Sequence, residues 1–329
     1  MEKTALLNII GNFPGKRIAV IGDLMLDVYL WGRVTRISPE APVPIVRINR
    51  VTNCLGGAAN VMRNLVTLGG SALAFGMTGD DADGREICTQ LANYGIDAAT
   101  VAVDPTRRTT NKQRVIAGTQ QLLRVDYEDT NAASEKIRDR LTRQVLELIE
   151  NRAVDAVVFE DYGKGMLDTE ILRRIVPAAN AHNIITALDP KPGAMHPIEG
   201  LTVIKPNRKE AVTMAALTDY EAGEEPPLDL VARRILELWK PKYLLISLAS
   251  EGMALYESNG KRIRIPTRAR EVYDVSGAGD TVVAAFTLAL ASGATPRQAA
   301  ELGNYAAGIV VGKVGTVTVS AEELAGELK

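Results

Sequence analysis

Short apolar runs recur along this chain with helical patterns between them, and that alternation restricts the fold more than any other feature. Arg17-Ile-Ala-Val-Ile-Gly-Asp23 is a β-branched run ending in glycine, the way a buried parallel strand enters a functional loop. Comparable runs lie over 72–76, 153–159, 184–188, 202–204 and 242–247. Apolar residues at helical spacing fill 58–68, 84–94, 133–150, 169–181 and 228–239. Strand alternating with helix gives an α/β fold, a mostly parallel sheet with helices on both faces. The length, 329 residues, suits one large domain of this kind or one and a half.

Composition then removes whole classes of function. Lys+Arg 38 against Asp+Glu 40 leaves a net charge of −2, so no protein-wide positive field gathers nucleic acid. Cys54 and Cys88 are far apart, and His182 and His196 are the only histidines, too few ligands for a structural metal or a disulfide framework. The longest apolar stretch, 282–291, is too short to span a bilayer, and Met1-Glu2-Lys3-Thr4 does not open a signal peptide. The expected compartment is a reducing cytoplasm, with no membrane and no nucleic-acid partner.

Two stretches break the strand–helix rhythm. Residues 28–52 hold Pro39, Pro42 and Pro44 among alternating β-formers, and proline cannot donate to a central ladder, so an edge or projecting sheet is expected. Residues 107–126 read as a hairpin turning near Gly118-Thr119. Together they predict a small β-lid, about 28–54 and 107–126, inserted into the α/β body. The acidic segment 218–227 reads as a surface loop.

The sharpest chemical signal is Asp274-Val-Ser-Gly-Ala-Gly-Asp280, followed at once by an apolar helical run over 281–291. Glycines before a helix free backbone N–H groups to point outward, and the helix dipole adds positive potential, which makes an anion trap. A pure phosphate cradle gains nothing from a carboxylate at its end, whereas phosphoryl transfer needs a base there. The plainer alternative is a glycine turn with Asp280 starting the helix. Asp27, just beyond the first strand, could accept bonds from two sugar hydroxyls. Glu160-Asp-Tyr-Gly-Lys164 follows another strand and puts charged groups and a phenol at the sheet mouth.

Asp274–Asp280 resembles the C-terminal signature of the ribokinase (PfkB-type) carbohydrate kinases. Gly56-Gly-Ala-Ala-Asn60 resembles their N-terminal sugar-binding signature, Gly79-Asp-Asp-Ala-Asp-Gly84 their glycine–aspartate turn, and Asn207-Arg-Lys-Glu210 their magnesium-linked motif, in the family's order and over most of the chain. The resemblance implies a ribokinase-like three-layer α/β/α kinase domain over 1–329. It makes Asp280 the catalytic base and Gly277, Ala278 and Gly279 the anion hole. Sugar contacts fall to Asp27, Gly56, Gly57 and Asn60. Asn207 and Glu210 hold Mg2+ through water, and Ser247, Gly252, Asn304 and Gly308 line ATP with Gly277 and Gly279. Val275 stands where the broader family has Thr.

Trp31-Gly-Arg-Val-Thr-Arg-Ile-Ser-Pro-Glu-Ala-Pro-Val-Pro-Ile45, Arg108-Thr-Thr-Asn-Lys-Gln-Arg114 and Glu160-Asp-Tyr-Gly-Lys-Gly165 are similar to the bacterial D-glycero-β-D-manno-heptose 7-phosphate kinases. This implies substrate contacts from Arg108, Lys112, Glu160, Asp161 and Lys164 and a monovalent cation such as K+; a homodimer through the lid is expected separately, because projecting edge strands leave unpaired N–H and C=O groups that a twofold partner can cover. Strand alternation puts Arg108, Lys112 and Arg114 on one face and Arg107 on the other. There is no His-x-Gly-His motif, so the chain is either a stand-alone kinase or one domain of a longer protein. A family kinase for another sugar, sugar phosphate or nucleoside and a non-catalytic binding module are the alternatives; an oxidoreductase is disfavoured because no Gly-x-Gly-x-x-Gly follows the first strand.

Overall fold

All six apolar runs become parallel strands of one sheet, as buried β-branched segments do when helices cover both faces. The computed structural model describes residues 2–118, 120–193, 195–217, 226–269 and 271–328. In chain order it runs α1 (Glu2–Gly11), β1 (Arg17–Gly22), β2 (Leu24–Ile37), β3 (Pro44–Gly57), α2 (Ala58–Thr67), β4 (Ser71–Phe75), β5 (Met77–Thr78), α3 (Ala82–Asn93), β6 (Ala102–Val103), β7 (Thr110–Ala117), β8 (Gln120–Tyr127) and α4 (Glu135–Glu150). It continues with β9 (Ala156–Glu160), α5 (Thr169–Ala181), β10 (Ile185–Asp189), β11 (Val203–Ile204), α6 (Arg208–Ala215), α7 (Leu228–Trp239), β12 (Tyr243–Ser247), β13 (Met253–Glu257), β14 (Arg262–Ile265), α8 (Ala278–Ala291), α9 (Pro296–Val311) and α10 (Ala321–Gly326).

The main sheet has the order β14-β13-β12-β11-β10-β9-β1-β4. Alternation along β1 divides the core: Ile18 and Val20 pack with α2, α8 and α9, while Ala19 and Ile21 pack with α4 and α5 on the other face. The fold is therefore the expected three-layer α/β/α. β13 and β14 add an antiparallel edge that the strand–helix rhythm does not reveal.

The lid is a separate four-stranded sheet, β3-β2-β7-β8, with β2 and β7 parallel. β2 and β3, spanning Leu24 to Gly57, run past the expected 28–54 at both ends, whereas β7 starts only at Thr110, inside the expected 107–126, and β8 ends at Tyr127. β2 is interior to this sheet rather than an edge, and the prolines avoid it: Pro44 opens the edge strand β3, where no ladder donor is lost. Arg107 and Arg108 precede β7, so strand alternation does not assign their faces, which corrects that expectation. Residues 218–225 of the expected acidic loop, and Thr119 of the expected turn, lie outside the described residues.

Candidate active site

The apolar run after the glycine turn becomes α8, and Gly277 starts it with φ 77° and no capping side chain. Glycine is required here twice over: φ lies in the left-handed region, and a Cβ would come within 2.6 Å of Asn60 Nδ2. The Ala278 N–H closes the turn onto the Val275 carbonyl at 3.2 Å, so that amide of the expected anion hole is already engaged. Asp274 braces the turn by accepting the Ser276 and Gly315 N–H groups.

Asp280 sits in the first turn of α8, 3% exposed. Its two oxygens have different donors: Asn60 Nδ2 reaches Oδ2 at 2.7 Å, and the Tyr162 hydroxyl reaches Oδ1 at 2.7 Å. Burial raises the carboxyl above the usual aspartate value, while those two bonds and the Lys205 charge work in the opposite direction. Asn60 is itself braced, because Arg63 Nη2 donates to its Oδ1 at 2.8 Å and also to the Thr316 carbonyl. The amide therefore has one orientation, nitrogen toward Asp280.

Asp27, projecting from β2, pairs with Arg114 of β7 at 2.6 Å and accepts the Thr316 hydroxyl at 3.2 Å. Its register partner on β3 is Cys54; farther along that strand a Cβ on Gly56 would lie 2.8 Å from Asp27 Oδ2, so only glycine leaves the carboxylate its place. Gly57, with φ 55°, then turns the chain into α2 and so brings Asn60 to Asp280.

Behind Asp280, the ends of β9 and β10 supply Glu160 and Asp189. Burial, then the Asp189 and Asp280 carboxyls, push Glu160 well above its ordinary pKa, and its Oε2 has no hydrogen-bond partner. Burial alone would lower Lys205, but the carboxyls around it, Asp189 first, hold its pKa above the ordinary lysine value. Asp161 instead braces its own loop, accepting the N–H groups of Gly163 and Lys191. Asp23 accepts the N–H groups of Tyr162, Lys164 and Met166. The sequence had put Asp161 among the sugar contacts and had not singled out Asp23, Asp189, Lys205 or Thr316, whose partners come from distant parts of the chain.

Asn207 and Glu210 form a reciprocal capping box at the start of α6, with bonds of 2.9 and 2.8 Å, and the Glu210 carboxyl acts on Asp189 and Lys205. Ser247 N–H donates to the Pro206 carbonyl. Gly252 (φ 90°), Asn304 and Gly308 converge on the segment 265–269: a Cβ on Gly252 would meet the Ile265 carbonyl, Asn304 Nδ2 donates to the Pro266 carbonyl at 2.7 Å, and Gly308 lies against Arg268.

The basic residues separate by environment. Arg107 donates to the carbonyls of Asp129, Asn131 and Lys164 and so holds loops together. Arg108 is exposed, its guanidinium over the Tyr127 ring. Lys164 pairs with Glu128 at 2.8 Å. Lys112 is half-buried over the Tyr162 ring, Nζ 5.5 Å from its centroid, and burial with Lys164 nearby pulls its pKa down.

The sequence matches the pfkB family carbohydrate kinase family over residues 16–323. It is 42% identical over 315 residues to a protein called "Bifunctional protein HldE" from a Caulobacter species, covering 95% of this chain and 63% of that one. A Helicobacter pylori protein of the same name is 40% identical over 311 residues, covering 94% and 66%. The chain thus spans less than two thirds of the length of these relatives. Among solved structures, the Thermotoga maritima ribokinase matches with a TM-score of 0.73 at 21% identity, covering 95% of this chain and 99% of that one. Phosphofructokinase-2 from Escherichia coli, in complex with potassium, matches with 0.72 at 22%, covering 95% and 99%.

Proposed function

Because this chain belongs to the pfkB family of carbohydrate kinases, we propose that it transfers the γ-phosphoryl group of ATP to the anomeric hydroxyl of D-glycero-β-D-manno-heptose 7-phosphate. The product is the 1,7-bisphosphate, in the cytoplasmic route to ADP-heptose and lipopolysaccharide core. The observation that carries the kinase chemistry is Asp280, a buried carboxylate at a glycine-started helix N-terminus, held by Asn60. The observation that favours a phosphorylated sugar is Lys112, a half-buried cation with no ion-pair partner among the described residues, one phenol ring away from that carboxylate.

In this reading Asp280 takes the proton of the anomeric hydroxyl as the oxygen attacks the γ-phosphorus. Gly277 and Gly279 N–H groups and the α8 dipole receive the transferred phosphoryl group, and Lys205 behind the turn adds positive charge. Asp27 and Asn60 orient the sugar, while Lys112, with Arg108 and Lys164 near it, takes the remote phosphate. The amide and carboxylate oxygens of Asn207 and Glu210 are hard donors that suit magnesium through water, and each keeps lone pairs beyond the capping box. Magnesium held there through water would supply charge neutralisation for the phosphates of ATP. Potassium dependence and a lid-to-lid homodimer belong to the same proposal, the latter supported by exposed Ile37, Val43, Val51 and Leu123 on the lid.

The test is ADP formation from ATP with heptose 7-phosphate, fructose 6-phosphate, ribose and adenosine as acceptors. Preference for heptose 7-phosphate supports the reading. Preference for another acceptor keeps the kinase and replaces its substrate.

A further inference from the structure

We infer that the Tyr162 hydroxyl is a placeholder for the acceptor hydroxyl: it occupies Asp280 Oδ1 in the free enzyme and is displaced when the sugar binds. This rests on the kinase reading of Asp280 and adds a residue to it. Both oxygens of the base are taken by donors, so an incoming hydroxyl must share or replace one of them. The two donors are not equivalent. Asn60 is fully buried, and its amide oxygen is fixed by Arg63 Nη2 at 2.8 Å and by Asn64 Nδ2 at 3.4 Å. Tyr162 is only half-buried, and among the described residues Asp280 is the one hydrogen-bond partner of its hydroxyl.

The backbone around Tyr162 is anchored, since Asp23 takes the N–H groups of residues 162, 164 and 166. The yielding motion is therefore a side-chain rotation and not a loop opening. The ring stands between Asp280 and Lys112, so a substrate that reaches from the base to that cation has to cross the place the ring now fills. Burial and the carboxyls of Asp280 and Glu160 hold the phenol far above its ordinary pKa, so it occupies the base as a neutral donor and does not surrender its proton to it.

A placeholder has a chemical consequence. While the phenol sits on Oδ1, a water cannot be activated there, and ATP is protected from hydrolysis until the sugar arrives. Asp280 also faces Glu160 and Asp189 at the ends of β9 and β10, Lys205 just past β11 and Asp27 on the lid strand β2, and these remain in place when the phenol is replaced.

The experiment compares wild type, Tyr162→Phe, and Tyr162→Phe with Asp280→Asn, with ATP affinity measured by nucleotide titration to confirm that each is folded. Phenylalanine keeps the ring and removes the donor. Sugar-independent ATP hydrolysis is expected to rise about tenfold in Tyr162→Phe, the scale of losing one hydrogen bond to a charged group, and to disappear in the double variant. Losing that donor also raises the base's pKa in the free enzyme only. The acid limb of kcat/KM should therefore move to higher pH while the acid limb of kcat keeps its position. Unchanged hydrolysis in Tyr162→Phe, or acid limbs that shift together, would overturn the placeholder and make Tyr162 a permanent positioning residue. Wild type that forms no sugar-dependent ADP with any acceptor would instead sink the kinase reading itself.

Discussion

Lys205 Nζ lies 2.8 Å from Asp189 Oδ2, and the pair is enclosed beneath the first turn of α8, where a Cβ on Gly279 would be 3.4 Å from the ammonium. Lys205→Met removes one charge from a buried pair and strands the other. We expect a loss of about 3–5 kcal/mol in urea unfolding, because an uncompensated buried carboxylate is worse than either a pair or an apolar contact. A variant as stable as wild type would show that Asp189 takes up a proton at no cost.

Asp280→Asn should lower kcat by about 10²–10⁴-fold while ATP still binds, since the proposed anion hole is backbone N–H groups that the substitution leaves in place. Single-turnover ADP release and nucleotide titration separate the two. Retention of more than about a tenth of kcat would remove Asp280 from the base role.

Asp161 supplies a pH signature. Burial, with the Asp23 carboxyl beside it, raises its pKa to about 6 in the folded protein, against an ordinary value near 3.8. A raised folded-state pKa gives stability that is complete below about pH 4 and lost as pH climbs through about 6. Relative to Asp161→Asn, wild type should therefore be about 2–3 kcal/mol better off at pH 4 than at pH 7. Chemical denaturation at the two pH values measures it, and parallel curves would contradict it.

Burial reverses the ranking of the lid cations. The sequence favours Arg108 over Lys112, since a guanidinium fork suits phosphate. Arg108 is exposed over Tyr127, whereas Lys112 is half-buried over the ring of Tyr162, whose hydroxyl reaches Asp280. Lys112→Ala should raise KM for the sugar phosphate at least about tenfold and leave KM for ATP within about twofold, with a smaller effect from Arg108→Ala. Steady-state titration of each substrate decides the order.

The proposed dimer is tested at the lid surface. Val51→Lys with Leu123→Lys puts charge on two exposed apolar positions of β3 and β8. Sedimentation should show a dimer for wild type and a monomer for the variant; a monomeric wild type at micromolar concentration would remove the dimer.

The main sheet was legible because each parallel strand carries its own signal, a short β-branched run ending at a loop. The antiparallel edge was not, although Asn259-Gly260 between β13 and β14 is a hairpin turn with Gly260 at φ 82°. At the site, the glycine turn announces Asp280 locally, and Gly56-Gly57 announces Asn60. What holds them is not local: Arg114 reaches Asp27 across 87 residues, and Tyr162 reaches Asp280 across 118. Spacing also mixes roles, since Asn207 and Glu210 have the separation of a capping box whatever else they do.

The lid strand β2 has a mechanical division of its own. Its root, from Met25 to Gly32, is flanked by β3 on one side and β7 on the other; beyond Gly32 only β3 remains, and the register slips at that point and again near Val34. Root and tip therefore evolve under different rules. A residue inserted in the root would turn Asp27 to the wrong face, whereas a residue inserted at the tip can be taken up in the outer two-stranded ribbon without moving Asp27. The outer ribbon is where this fold can change length at small cost.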